Sequence, residues 1–215
     1  MKRRFGKEWK IYAKNTRFLI GFKYEKLLFF AGLFVLLGLG MDFIHEFGHA
    51  GWGIAVGGRL TYIQVAYFEI YPQLAVVSEF VLGRVEVQGL TGFNYGLFLI
   101  SGSMTTNIVS WLLVIVLLVK PRFKMRLGLR ILGFFGLLDL PLYVVLPQIG
   151  LQHWVFVGGN SPEPLRGARM MNIPDGVFYL IVFFTTLGLV HLYFGPFIRK
   201  AWNRTRSLLR LNEKE

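Results

Sequence analysis

The sequence predicts an α-helical integral membrane protein of about four transmembrane helices, with a small β-strand or hairpin region between the first and second. Three observations carry that expectation. Hydrophobic residues fill 54% of the 215 positions, 21 of them Phe, and the mean hydropathy is +0.50. They come in runs as long as a bilayer core demands of a helix, about 20 residues. Lys and Arg are sorted into alternate gaps between those runs: twenty lie in residues 1–26, 120–130 and 199–215, and the other four are Arg59, Arg84, Arg166 and Arg169. One gap, residues 58–92, carries the period of a strand.

The net charge of +12 and the pI near 10.1 would suit a nucleic-acid surface, but basic residues in blocks between apolar runs read as topology. Nucleic acid is therefore not an expected partner; the lipid bilayer is. By the positive-inside rule both termini and the 120–130 link are cytoplasmic, and the other two gaps face outward. The expected location is a cell membrane, most simply a prokaryotic plasma membrane. There are no cysteines, which excludes disulfides and thiolate metal sites.

Taken in order, residues 1–26 form a basic cytoplasmic segment whose interleaved aromatics suit either an amphipathic stretch on the inner leaflet or a plain positive anchor. A membrane-embedded core occupies 27–198. Its first span runs from Leu27 to about Val56, ended by Gly51, Gly53, Gly57 and Gly58. Residues 58–92 are rich in Val, Ile, Tyr and Phe, and Arg84-Val85-Glu86-Val87-Gln88 alternates as a half-buried strand does. The second span, about Phe93 to Val119, holds Ser101, Gly102, Ser103, Thr105, Thr106 and Asn107, small and hydroxylated residues that let helices approach closely. The third span follows the basic link and reaches about Gln148. Residues 149–173 read as a polar loop, the fourth span covers about Pro174 to Ile198, and 199–215 is a basic cytoplasmic tail.

The chemistry concentrates in His45-Glu46-Phe47-Gly48-His49. Histidines at i and i+4 share one helix face and can ligate one metal, while the Glu between them is turned away, as suits a general base acting on metal-bound water. This is the H-E-x-x-H pattern of zinc hydrolases. Its apolar setting favours function, since ionisable groups inside a span are expensive; the bland rival is a histidine pair at the membrane interface. One Zn2+ per chain is the expected cofactor, and two histidines need a third ligand. Asp139, flanked by Leu137, Leu138 and Leu140, is the first candidate, with a structural hydrogen bond to a Ser, Thr or Asn of another helix as its alternative reading. Asp175 is the rival ligand, or an ordinary turn residue at a helix start. Asp42 shares the histidine face. His153, His191, Glu69 and Glu79 fit interfaces and loops better. With 1.5 Å of rise per residue, His45 lies about 28 Å along the first helix from Lys26 and Asp139 about 14–20 Å into the third, so the two meet only if the first helix tilts or its span begins later.

His45-Glu46-Phe47-Gly48-His49-Ala50, continuing through Gly57-Gly58-Arg59 into a strand-like stretch, resembles the opening of the site-two-protease class of intramembrane zinc metalloproteases. That family carries a Gly-Pro-x-x-Asn element on its second core helix and an Asp ligand in a Leu-Asp-Gly motif on its third. Here Ser103-Met104-Thr105-Thr106-Asn107 keeps the Asn without Gly-Pro, and Leu138-Asp139-Leu140 keeps the Asp with Leu for Gly. The resemblance spans roughly residues 30–145 and implies a divergent branch. It implies zinc on His45, His49 and Asp139, Glu46 as general base, and Asn107 orienting the substrate or the oxyanion. The implied substrate is a membrane protein or peptide, unwound and held extended by the 58–92 strands. Two readings from other classes stay open: a nonproteolytic metal-binding protein of the same fold, and a small transporter.

Overall fold

The computed structural model describes residues 24–120, 125–154 and 157–212. The amphipathic segment expected in 1–26 lies outside them except for Tyr24–Lys26, which open the first helix, as do residues 121–124 of the basic link and 213–215 of the tail. Contacts divide the chain into two units, Met1–Leu36 and Leu37–Glu215. In the first, residues 24–36 are helical and turn Leu27, Leu28, Phe29, Val35 and Leu36 outward, exposed. Such a surface is stable against lipid rather than water.

The helix they begin, α1, runs Tyr24–Ala55. Its 32 residues measure about 48 Å, more than the ~30 Å of a bilayer core. The span within it is therefore not fixed by Lys26, which removes the obstacle to a meeting of His45 with the third span. Of the four glycines expected to end it, Gly51 and Gly53 lie inside the helix, and the last two close it: Gly57 takes φ +91°, and the Gly58 amide returns to the Gly53 carbonyl at 2.9 Å, the six-to-one closure that satisfies an orphan carbonyl at a helix end.

Two antiparallel strands follow, β1 (Arg59–Tyr71) and β2 (Ala75–Gln88). From Arg84 to Gln88 the residues alternate between exposed and half-buried, as their sequence alternation requires. The ladder is irregular between Val65 and Phe68, with Val65 opposite Gly83 and Ala66 opposite Val81. A buried side chain repairs it: Gln64 donates Nε2 to the carbonyls of Ala66 at 3.1 Å and Glu79 at 2.9 Å, and accepts from Tyr62 Oη at 2.7 Å. A bulge of this kind re-aims the strand beyond it.

Helix α2 (Gly92–Val119) buries Gly96, Ser101, Gly102, Ser103, Thr106 and Ser110. These small residues admit α3 (Arg126–Val145) so closely that a side chain at Gly136 would strike the Thr106 carbonyl and Ser110. Ser110 Oγ donates across the interface to the Gly133 carbonyl at 3.1 Å. Pro141 inside α3 removes one helical hydrogen bond, just beyond Asp139. A 3₁₀ turn, Leu146–Ile149, ends this span.

The region expected as a loop contains a short helix, α4 (Glu163–Met170). Two turns are too few for periodicity to betray. It docks on α2 at a glycine pair: a Cβ on Gly96 would run into the Gly167 carbonyl, and one on Gly167 into the Gly96 carbonyl. Leu165 and Ala168 of α4 join Leu140 and Val144 of α3 in one core. The last helix, α5 (Asp175–Asn212), supplies Phe178 and Val182 to that core and Leu189 and Tyr193 to a second, with Val114, Leu117 and Leu137. It continues far into what the sequence suggested was a tail. Four helical segments are long and apolar enough to cross a membrane: Tyr24–Ala55, Gly92–Val119, Arg126–Ile149 and Asp175–Gly195.

Candidate metal centre

His45 and His49 lie buried on one face of α1, 2% and 5% exposed. Each donates through Nδ1. His45 Nδ1 is 3.0 Å from Asp139 Oδ2, which also accepts from Thr106 Oγ1 at 2.7 Å. His49 Nδ1 is 2.6 Å from the Phe98 carbonyl. A carbonyl and a carboxylate only accept, so both Nδ1 atoms carry the hydrogen and, in neutral rings, both Nε2 atoms present lone pairs. Those Nε2 atoms face each other 3.1 Å apart. Two opposed lone pairs at that distance repel; a cation or a shared proton between them relieves it. Two bonds of about 2.0–2.1 Å to one tetrahedral ion would set the nitrogens roughly 3.3 Å apart, so the spacing fits a single zinc.

The third donor comes from α4. Glu163 Oε2 stands 3.8 Å from His49 Nε2, and one atom each of His45, His49 and Glu163 lie within 4.8 Å of one another. Burial pushes the Glu163 carboxyl up from its ordinary value, partly offset by His45. Gly102 of α2 forms the floor beneath the histidines. A side chain there would overlap both Nε2 atoms.

Of the residues singled out from sequence, the structure brings together His45, His49, Glu46 and Asp139. Asp139 reaches the pair through the far nitrogen of His45, and it also makes the helix-to-helix hydrogen bond that was its alternative reading. The carboxylate converging with the Nε2 atoms is Glu163, which sequence reasoning missed. Its signal was faint: an acid between two prolines, in Ser161-Pro162-Glu163-Pro164. Asp175 stands apart, forked by Arg169 at 2.9 and 2.6 Å. Asn107 turns to α5, accepting from Thr185 Oγ1 at 3.0 Å while Thr185 accepts from Trp111 Nε1 at 2.9 Å. Asp42 keeps one buried oxygen, Oδ2, without a hydrogen-bond partner.

Glu46 is buried beside the pair and is not one of the three converging donors. Its carboxylate lies against Gly83, where a Cβ would collide with it, so the missing side chain in β2 is what gives the acid its place. Glu46, His49 and Glu163 open onto a cavity of about 440 Å³, walled by extended residues 80–85 of β2 and by Phe98, Tyr143 and His153. His153 Nε2 donates to the Ser161 carbonyl at 2.6 Å, and burial holds its imidazole below the ordinary value. No family model matches the chain, and no curated protein or solved structure matches it either.

Proposed function

We propose that this chain is a membrane-embedded zinc metallopeptidase that hydrolyses peptide bonds within or beside the bilayer, a divergent relative of the site-two-protease class. One observation carries the reading: of a convergent His45, His49 and Glu163, the last two open with a separate carboxylate, Glu46, onto one cavity whose wall is an extended strand. Pure metal storage has no use for Glu46, and a transport pathway has no use for a glycine that seats it.

His45, His49 and Glu163 would hold the ion, the two-histidine, one-carboxylate set of open catalytic zinc sites. Asp139 and the Phe98 carbonyl fix the ring orientations and tautomers, the task of outer partners around metal-binding histidines. A zinc ion bound there supplies Lewis acidity, polarising a carbonyl and making water acidic near neutral pH. The rest falls to the chain. An unwound substrate segment pairs with the backbone of residues 80–85, because a peptide carbonyl inside a helix is already hydrogen-bonded and shielded. Glu46 takes a proton as the water oxygen bonds to the peptide carbon and the carbonyl electron pair moves onto its oxygen. The C–N bond then breaks, its electron pair stays on nitrogen, and Glu46 returns the proton there, leaving a carboxylic acid and an amine.

Glu46→Gln separates the proton-transfer role from metal binding. In detergent-purified protein it is expected to abolish cleavage of a fluorogenic bilayer-spanning peptide while zinc content stays near that of wild type. Retained cleavage overturns the general-base role. Zinc-loaded wild type that cleaves nothing favours the nonproteolytic metal-binding reading, and wild type without zinc removes the centre itself.

A further inference from the structure

Hydrolysis by this route puts negative charge on the former carbonyl oxygen, and a hydrogen-bond donor aimed there is usually the largest protein contribution after the nucleophile. Asn107 was the expected donor, and its Nδ2 has no hydrogen-bond partner, but its oxygen accepts from α5 and it does not line the cavity, so that N–H is not presented there. The cavity itself offers few side-chain donors. Arg84 is forked onto Glu86, at 3.0 Å through Nε and 2.5 Å through Nη2. His153 spends its Nε2 hydrogen on the Ser161 carbonyl, and Gln152 is exposed. Tyr143 of α3 is different. It is 6% exposed and its ring packs against two imidazoles, with centroids 4.8 Å from His45 at 32° and 3.7 Å from His153 at 29°. Ring contacts hold it, its hydroxyl bonds to no described residue, and that hydroxyl is not one of the fully enclosed orphan atoms, as fits a residue on the cavity wall.

A buried phenol normally finds a partner for its O–H. One pinned against a candidate ligand, lining the cavity and lacking that partner is a donor held in place for something that arrives. We infer that Tyr143 is the hydrogen-bond donor to the developing oxyanion, and that packing against His45 and His153 fixes the direction of its hydroxyl. This rests on the peptidase reading. In the attack step the pair from the C=O π bond settles on oxygen, and the Tyr143 O–H donates to that oxygen without surrendering its proton. On collapse the C=O bond reforms and the hydrogen bond weakens. The interaction is therefore strongest at the transition state, so it bears on kcat rather than KM.

Tyr143→Phe removes one oxygen and leaves the stacked ring. With full-length protein and the fluorogenic bilayer-spanning peptide, kcat should fall about 10²- to 10³-fold, the loss seen when one oxyanion donor is deleted, with KM within about twofold and zinc content unchanged. A second readout does not need turnover. A phosphinic pseudopeptide, whose tetrahedral anion stands for the oxyanion, should bind the variant at least tenfold more weakly, while a small hydroxamate that only grips the metal binds both proteins alike. A kcat within twofold of wild type overturns the assignment. If wild type binds zinc but cleaves nothing, the peptidase reading has failed, and phosphinate affinity still judges Tyr143: equal affinity in both proteins overturns it.

Discussion

Asp139 and Glu163 bring the same functional group to the same pair of histidines from opposite sides, and the nitrogen each meets decides its role. Asp139 accepts from His45 Nδ1 and so aims the ring; Glu163 approaches the Nε2 side and can share an ion. Cobalt substitution distinguishes them. Glu163→Gln should change the visible d–d spectrum and its intensity, because an anionic ligand is lost. Asp139→Asn should keep the spectrum and weaken affinity by about 10- to 100-fold, the usual cost of removing an outer partner. The reverse pattern would make Asp139 the ligand. From sequence the histidine pair and Glu46 were readable because four-residue spacing on a helix is local. That Asp139 needs a polar partner was readable from its cost in an apolar run, and it was expected as a metal ligand; that it meets His45 at Nδ1 instead depends on the packing of α3 on α1. Glu163 was barely readable, since convergence over more than a hundred residues leaves no local trace beyond an acid set between two prolines.

At the scale of elements, α4 carries Glu163, the candidate third donor, and its seat is the Gly96–Gly167 crossing. Backbone lies against backbone there, so one added methyl has nowhere to go without moving the helix. Gly167→Ala is expected to cost about 1–3 kcal/mol of stability, as overpacking does, and to weaken zinc binding by at least tenfold in competition with a chelator as Glu163 withdraws. Unchanged zinc affinity would mean that α4 does not position the ligand. The four long helices and the hairpin were legible in the sequence because run length and strand period report directly on burial. The eight-residue helix was not, being held by tertiary contact rather than by its own pattern.

At the scale of the whole molecule, an ion on α1 and α4 would tie together segments far apart in the chain, and anything that binds only the folded state stabilises it by mass action. Free zinc at about 100 times its dissociation constant is worth about 2.7 kcal/mol, or roughly 5–10 °C in midpoint for a chain of this size. Chelation of detergent-purified wild type should lower the midpoint by that amount, and that of Glu46→Gln equally, since Glu46 is not a ligand. No shift in either protein would count against a structural link through metal. The same arrangement orders events in time. A ribosome adds about 5–20 residues per second, so the histidine pair is made several seconds before Glu163. On the peptidase reading, a nascent chain carries Glu46 and two donors but no third, and stays unarmed beside its neighbours until α4 has been made and has docked.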